Sequence, residues 1–276
     1  MRRRLVFGLG LALLLGACGG GTSDEASTTT TEAAGATTTR ATSTRLAAAC
    51  KADVAITRGF NQVFSDLPFP EGDEPPSVDF KAKLKAGYAQ HLAAPLAEFQ
   101  ANAPAEITTE ANEAIAVVKR FADSGDFMLV DNDEFNAKVD KIDAYMYGNC
   151  DGTKQAVTAV DYGYTGLPAQ ITAGLVRFKL QNTGTEHHEI TVLARKAGVT
   201  ETFDQILALP EEQGRAKVDS ITQVDSAAGQ AGYTSADLKP GRYLMTCFIP
   251  KGTVGDKEGD GPPHFTLGMK QEITVS

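Results

Sequence analysis

Histidine and cysteine are scarce in this chain of 276 residues, with four of each, and that scarcity excludes several chemistries. The imidazoles are His91, His187, His188 and His264, too few for a multinuclear, histidine-rich catalytic centre. No paired Glu-x-x-His segments occur, so a di-iron carboxylate site on helices is not expected. Asp131, Asp133 and Glu134 lack the order of a calcium loop with its central Gly and terminal Glu. There is no Ser-His-Asp order in persuasive strand context, no phosphate-cradling glycine loop and no nicotinamide fingerprint. Basic residues are also short, 26 against 35 acidic, for a formal charge of −9. No Lys/Arg cluster suits a phosphate backbone, so a nucleic-acid partner is not expected. Long apolar runs are missing too: Leu5 to Leu15 is too brief to span a bilayer.

That short run has a use nonetheless. Arg2, Arg3 and Arg4 precede it, which is the pattern of an export signal. Leu15-Gly16-Ala17-Cys18 then resembles the lipobox of bacterial lipoproteins. The resemblance implies a signal peptide over 1–18 and lipidation of Cys18. It also implies export, with the membrane as partner through the N-terminal lipid on the outer face of the bacterial cell membrane. Residues 19–45 are mostly Thr, Ser, Ala and Gly and offer little apolar area to repay ordering, so they read as a disordered tether.

Residues 46–150 read as an all-α domain. Val54, Phe60, Phe64 and Leu67 have roughly helical spacing, and the Pro- and Gly-rich stretch 68–76 breaks the pattern. Ser77 can cap a second helix in which Phe80, Leu84, Tyr88, Leu92 and Leu96 repeat, with Pro95 expected to bend or split it. A third stripe is Ala111, Ile115, Val118 and Ala122. Asp131 and Glu134 resemble a capping box ahead of the fourth stripe, Phe135, Val139, Ile142 and Met146. Four amphipathic helices with short connections predict an antiparallel four-helix bundle. Cys50 opens this block and Cys150 closes it. In an exported protein they read most simply as a disulfide between the first and last helices, two separate buried thiols being the alternative.

After Gly152 the texture becomes that of short strands. Val157 to Tyr162, Leu175 to Leu180, His188 to Ala194, Gln230 to Ala236, Arg242 to Phe248 and Met269 to Val275 are separated by turn signals such as Asn182-Thr183-Gly184 and Lys239-Pro240-Gly241. A helical insertion is expected from Glu201 to Leu209, and Glu211 to Gln230 shows only weak patterning. The whole of 151–276 predicts an all-β Greek-key sandwich, so the chain is expected to be multidomain.

Within that sandwich His188, Cys247, His264 and Met269 follow one another in the order of a mononuclear copper site. Ala169 to Gly174 followed by Val176-Arg177-Phe178, Asn182-Thr183-Gly184 before His187-His188, Pro240-Gly241-Arg242-Tyr243 leading to Cys247, and the spacing of His264 and Met269 resemble the cupredoxins, or blue copper domains. The resemblance covers roughly 157–276 and implies a cupredoxin-like fold with one type 1 copper ion. His188, Cys247 and His264 would be its ligands and Met269 the axial thioether, a donor set acceptable to both oxidation states of copper. The family usually keeps its second histidine a few residues after the cysteine, whereas residues 248–263 intervene here.

Strand alternation bears on the first ligand. His188 shares parity with Ile190 and Val192 and should face the core, while His187 and Glu189 should point outward; a bulge would make His187 the ligand instead. Cys247 is left without a thiol partner once Cys18 and the Cys50–Cys150 pair are assigned. His264 would be the exposed exit for an electron. The function expected is single-electron transfer by a surface-anchored carrier with a redox protein partner. A copper storage or delivery protein and a metal-free cupredoxin-like binding or scaffold lipoprotein are the alternatives.

Overall fold

The computed structural model describes residues 32–65, 67, 75–255 and 257–276, with side chains from residue 43 onward. The expected signal peptide 1–18, Cys18 and the first part of the expected tether, 19–31, lie outside the described residues. No described helix is long and apolar enough to cross a membrane.

The first helix, α1, spans Glu32–Ser65, so residues 32–45 are helical rather than an unordered tether. Helix nucleation is the costly step. Here it is met where Ala49, Ala52 and Val63 pack into the core. Extension backward through an Ala-containing, Pro-free segment then adds one hydrogen bond per residue. Arg45 also ties the added turns to Ala101 O at 3.3 Å.

The second rod is continuous but irregular: α2 (Val78–Gly87), a π-turn over Tyr88–Leu92 and α3 (Ala93–Asn102). Ser77 caps it, its Oγ accepting from Phe80 N at 3.0 Å. The expected disturbance by Pro95 is displaced one turn N-terminally. Pro95 has no N–H for the carbonyl of His91, and the ladder accommodates this by widening before it. Helix α4 (Thr108–Ser124) and helix α5 (Asp133–Asn149) complete the region. The cap of α5 is Asn132, whose side chain accepts from Phe135 N at 3.0 Å, not Asp131. The apolar stripes meet in one core that includes Phe80, Leu84, Ile107, Phe121 and Met146. Cys50 and Cys150 are joined by a disulfide across 100 residues.

Nine strands form two sheets among the described residues. One contains β1 (Thr153–Val160), β2 (Gly163–Thr165), β4 (Gly174–Asn182) and β7 (Ala231–Leu238), in the order β2-β1-β4-β7. The other contains β3 (Gln170–Ile171), β5 (His188–Arg195), β6 (Val218–Ser226), β8 (Gly241–Thr246) and β9 (Lys270–Val275), in the order β3-β9-β8-β5-β6. Their inner faces bury Phe178, Leu180, Ile190, Val192, Met245 and Ile273 together, giving the sandwich a core of its own. Two short helices, α6 (Phe203–Leu207) and α7 (Glu211–Arg215), follow β5. The weakly patterned stretch after Glu211 thus includes a full strand, β6, whose burial does not alternate cleanly.

The helical region leans on β4, β6 and β7. Arg177 of β4, 3 % exposed, pairs with Asp53 of α1 at 2.7 Å, Asn61 donates to Ile221 O at 2.9 Å, and the rings of Tyr147 and Tyr233 meet at 5.4 Å. The same contact area holds Asp143, whose carboxyl burial and the neighbouring Asp53 push well above the usual range.

Replacing Cys50 and Cys150 by Ser is expected to lower the unfolding free energy by about 2–5 kcal/mol, because the cross-link restricts a long loop of the unfolded chain. Denaturant titration at fixed pH would measure this; an unchanged midpoint would show that the bridge adds nothing.

Candidate metal centre

His188 begins β5 and points into the sandwich with Ile190 and Val192, as its parity predicts; all three are fully buried. The strand starts there because Asn182, buried at the end of β4, closes the preceding loop. Its amide donates to Glu186 O and Ser226 O, both at 2.8 Å, and its Oδ1 accepts from Gly184 N at 2.9 Å. Cys247 follows β8 directly, and its thiol is the free cysteine of the described residues. His264 opens a short 3₁₀ turn, His264–Leu267, ahead of β9.

The long segment between Cys247 and His264 does not separate them. Residues 250 and 263 form a β-bridge, Lys251 N bonds Pro262 O at 3.0 Å, and His264 N bonds Ile249 O at 3.0 Å. Phe265 N bonds Cys247 O at 2.9 Å, Met269 N bonds His264 O at 3.1 Å, and Cys247 N bonds Met269 O at 3.1 Å. The segment is therefore a side excursion closed at its base. Its return strand passes so near Lys251 that a Cβ on Gly259 would lie 2.1 Å from that carbonyl oxygen, which explains a glycine there.

Closure brings three donors together. His188 Nδ1 lies 3.2 Å from His264 Nδ1, and Cys247 Sγ lies 3.4 Å from His264 Nδ1. Possible ligand atoms of these three residues all fall within 4.8 Å of one another, and each residue is 0 % exposed. Met269 is also fully buried, and its backbone is bonded to both Cys247 and His264. His187 is half-buried and stands outside this cluster.

Each histidine turns its other nitrogen to a carboxylate. His188 Nε2 is 3.0 Å from Asp161 Oδ1, and His264 Nε2 is 3.0 Å from Glu186 Oε2. An ionised carboxylate only accepts, so both Nε2 atoms carry the hydrogen. Burial lowers the proton affinity of both imidazoles, opposed only partly by the carboxylates, so both rings are neutral near pH 7. Neither Nδ1 then carries a hydrogen, and the 3.2 Å contact sets two lone pairs face to face. A cation between them relieves that repulsion. Two borderline nitrogens and one soft sulfur suit copper better than a hard ion.

Thiol, imidazole and carboxylate in sequence would also describe a nucleophilic cysteine, but Cys247 is fully buried. Burial and the nearby Glu189 push its thiol well above the ordinary range, the opposite of an activated nucleophile.

Two expectations need correction. Glu189 does not point to solvent: it is 2 % exposed. The outer face of β5 is covered, and the Glu189 carboxylate accepts from Phe248 N at 2.7 Å and Gln223 Nε2 at 2.6 Å. Its backbone N–H points to Cys247 Sγ at 3.4 Å, and Tyr164 donates to its carbonyl. His264 is likewise no exposed exit, because Glu186, Tyr162 and the 248–263 excursion enclose it. Directly following two ligand candidates, Phe248 is exposed and Phe265 half-buried, with their rings 5.4 Å apart.

No family model and no curated protein matches the chain. Among solved structures it is similar to Na-dithionite reduced auracyanin from the photosynthetic bacterium Roseiflexus castenholzii, at 19 % identity over 46 % of this chain and 99 % of that one, with a TM-score of 0.30. It is similar to auracyanin A, a "blue" copper protein from Chloroflexus aurantiacus, at 14 % identity over 45 % and 98 %, TM-score 0.30. Rusticyanin from Thiobacillus ferrooxidans matches at 17 % identity over 46 % and 79 %, TM-score 0.28.

Burial beside the Glu189 carboxylate, directly opposite in the β5–β6 register, pushes Asp225 up to about 8. A carboxyl raised in the fold binds a proton on folding, so its stabilising contribution is complete below about pH 4 and is lost as pH rises through about 8. Wild type should lose more thermal stability between about pH 5 and pH 8 than Asp225→Asn. Equal slopes in metal-free melting curves would contradict this.

Proposed function

We propose that the C-terminal sandwich is a cupredoxin-like domain holding one copper ion in a type 1 site and that the protein carries single electrons. The observation behind this is the convergence of His188 Nδ1, His264 Nδ1 and Cys247 Sγ in a buried space where the two nitrogen lone pairs face each other at 3.2 Å. His188, Cys247 and His264 would hold the ion, with the Met269 thioether as a further, weaker donor. Bound there, copper supplies a reversible one-electron couple.

The chain's own residues do the rest. Backbone bonds at the base of the 248–263 excursion hold thiolate and imidazole at one distance in both redox states, so little reorganises when an electron moves. The Glu189 N–H and the buried surroundings temper the charge on Cys247. Burial excludes water from the sulfur. Phe248, exposed beside the half-buried Phe265, gives the centre an aromatic group at the surface, and we place electron exchange with a redox protein partner there.

The helical region, which we read as an antiparallel four-helix bundle, would carry the sandwich at the end of a lipid-anchored segment. Anchoring rests on the Leu15 to Cys18 motif and would place the carrier on the outer face of the bacterial cell membrane.

Titrating copper into protein that begins at residue 19 tests the reading. One equivalent is expected to give an intensely coloured adduct with a thiolate-to-metal absorption band, absent in Cys247→Ser. A colourless protein retaining no copper would instead select a metal-free binding lipoprotein. A second outcome follows from the raised thiol: ligation must expel its proton, so apparent copper affinity should rise about tenfold per pH unit from about pH 6 to 8. A flat profile would exclude thiolate ligation.

A further inference from the structure

Resting on the copper reading, we propose that Asp161 and Glu186 are positioning residues of the centre, which lock both histidines with Nδ1 inward and bias the couple toward its oxidised state. Nothing in the donor set itself demands them; they are supplied by two neighbouring loops built to present them.

Asp161 and Tyr162 form the tight turn between β1 and β2, where Val160 pairs with Gly163. Tyr162 is the non-glycine residue with positive φ among the described residues, at 65°, an uncommon conformation for a bulky side chain. In that conformation its hydroxyl donates to Glu186 Oε1 at 2.8 Å and its ring meets His264 edge-on at 5.2 Å. Asp161 is held by Thr185, whose N and Oγ1 each donate to it at 2.8 Å. Glu186 also accepts from Gly252 N at 2.5 Å, which ties it to the 248–263 excursion. The hydrogen bonds to Asp161 and Glu186 orient each carboxylate toward an imidazole. The loop leaves no slack: a Cβ on Gly184 would lie 2.3 Å from Asp161 Oδ1 and 2.6 Å from His188 Nε2.

The electrostatic consequence has a definite sign. A divalent copper ion, one thiolate and two carboxylates sum to one net negative charge, and reduction makes it two. Each carboxylate therefore opposes the incoming electron, and removing either charge raises the midpoint potential. Glu186 should matter more, because its side chain is 12 % exposed against 34 % for Asp161, so solvent screens it less.

Three variants of the chain beginning at residue 19 test this by two readouts. Redox titration of the copper-loaded protein gives the potential; nitrogen-15 NMR of the metal-free protein gives the imidazole tautomers. Glu186→Gln keeps an amide oxygen for His264 Nε2–H but loses the charge. It should preserve the tautomer and shift the oxidised-to-reduced balance at least tenfold, about 59 mV upward for one electron. Asp161→Asn should move the potential in the same direction by less. Glu186→Ala should also release the tautomer, giving a population of His264 with hydrogen on Nδ1. Unmoved potentials in the Gln and Asn variants, with copper bound normally, would overturn this proposal and leave the copper reading intact. Nδ1–H tautomers in the metal-free wild type would overturn the positioning role. A wild type that takes up no copper would overturn the bias together with the reading beneath it.

Discussion

Cys247 and His264 meet because the chain between them is closed at its base by backbone hydrogen bonds. Cys247 N to Met269 O, Phe265 N to Cys247 O and His264 N to Ile249 O act as a clamp. The entropic cost of closing a loop grows only slowly with its length, so the sixteen positions from 248 to 263 add little once the clamp is made. The centre depends on that closure. With it, a thiol, two imidazoles and the Met269 backbone belong to one rigid corner of the sandwich; without it they would be parts of a mobile loop.

Burial then sets the chemistry. Removing His188, Cys247 and His264 from water keeps the imidazoles neutral and the thiol protonated until a cation displaces its proton. The same burial is costly for carboxylates, and the structure answers it in two ways. Asp161 and Glu186 stay near the rim, where hydrogen bonds outweigh desolvation and hold both below their ordinary values, Asp161 at about 2. Glu189 and Asp225 lie deeper, and desolvation pushes them up to about 7 and about 8. Glu189 nevertheless binds Phe248 N, which braces the residue next to Cys247 from the outer face of β5.

The two cores are distinct, yet they share an edge. Arg177 lies in β4, within the sandwich, but its charge is answered by Asp53 of α1 at 2.7 Å. A buried guanidinium stripped of that partner would be strongly destabilising, so the helical region is a structural neighbour of the sandwich rather than a bead on a string. The side it covers, along β4, β6 and β7, leaves Phe248 exposed.

Much of this was readable from residue order. Helical and strand periods, the Ser77 cap and the parity of His188 are local or near-local properties, carried by spacing and composition, while the pairing of Cys50 with Cys150 followed from the count of cysteines in an exported chain. What misled was equally specific. Glu189 follows the outward parity of β5, but parity says nothing about whether an outer face is covered, and Gln223 and the Phe248 backbone meet the carboxylate on this one. The run 32–45 has the composition of a tether, but the helix behind it had already met the cost of nucleation. Asn132 rather than Asp131 caps α5, a one-residue shift that a pattern of alternative caps cannot resolve. The sequence by itself determined the kinds of donor atoms and the strands that carry them, because these follow from residue identity and short-range periodicity. Only the tertiary structure decided that the donors converge, that both histidines are enclosed and that a carboxylate stands behind each. Those facts depend on contacts between loops distant along the chain, which no local spacing encodes.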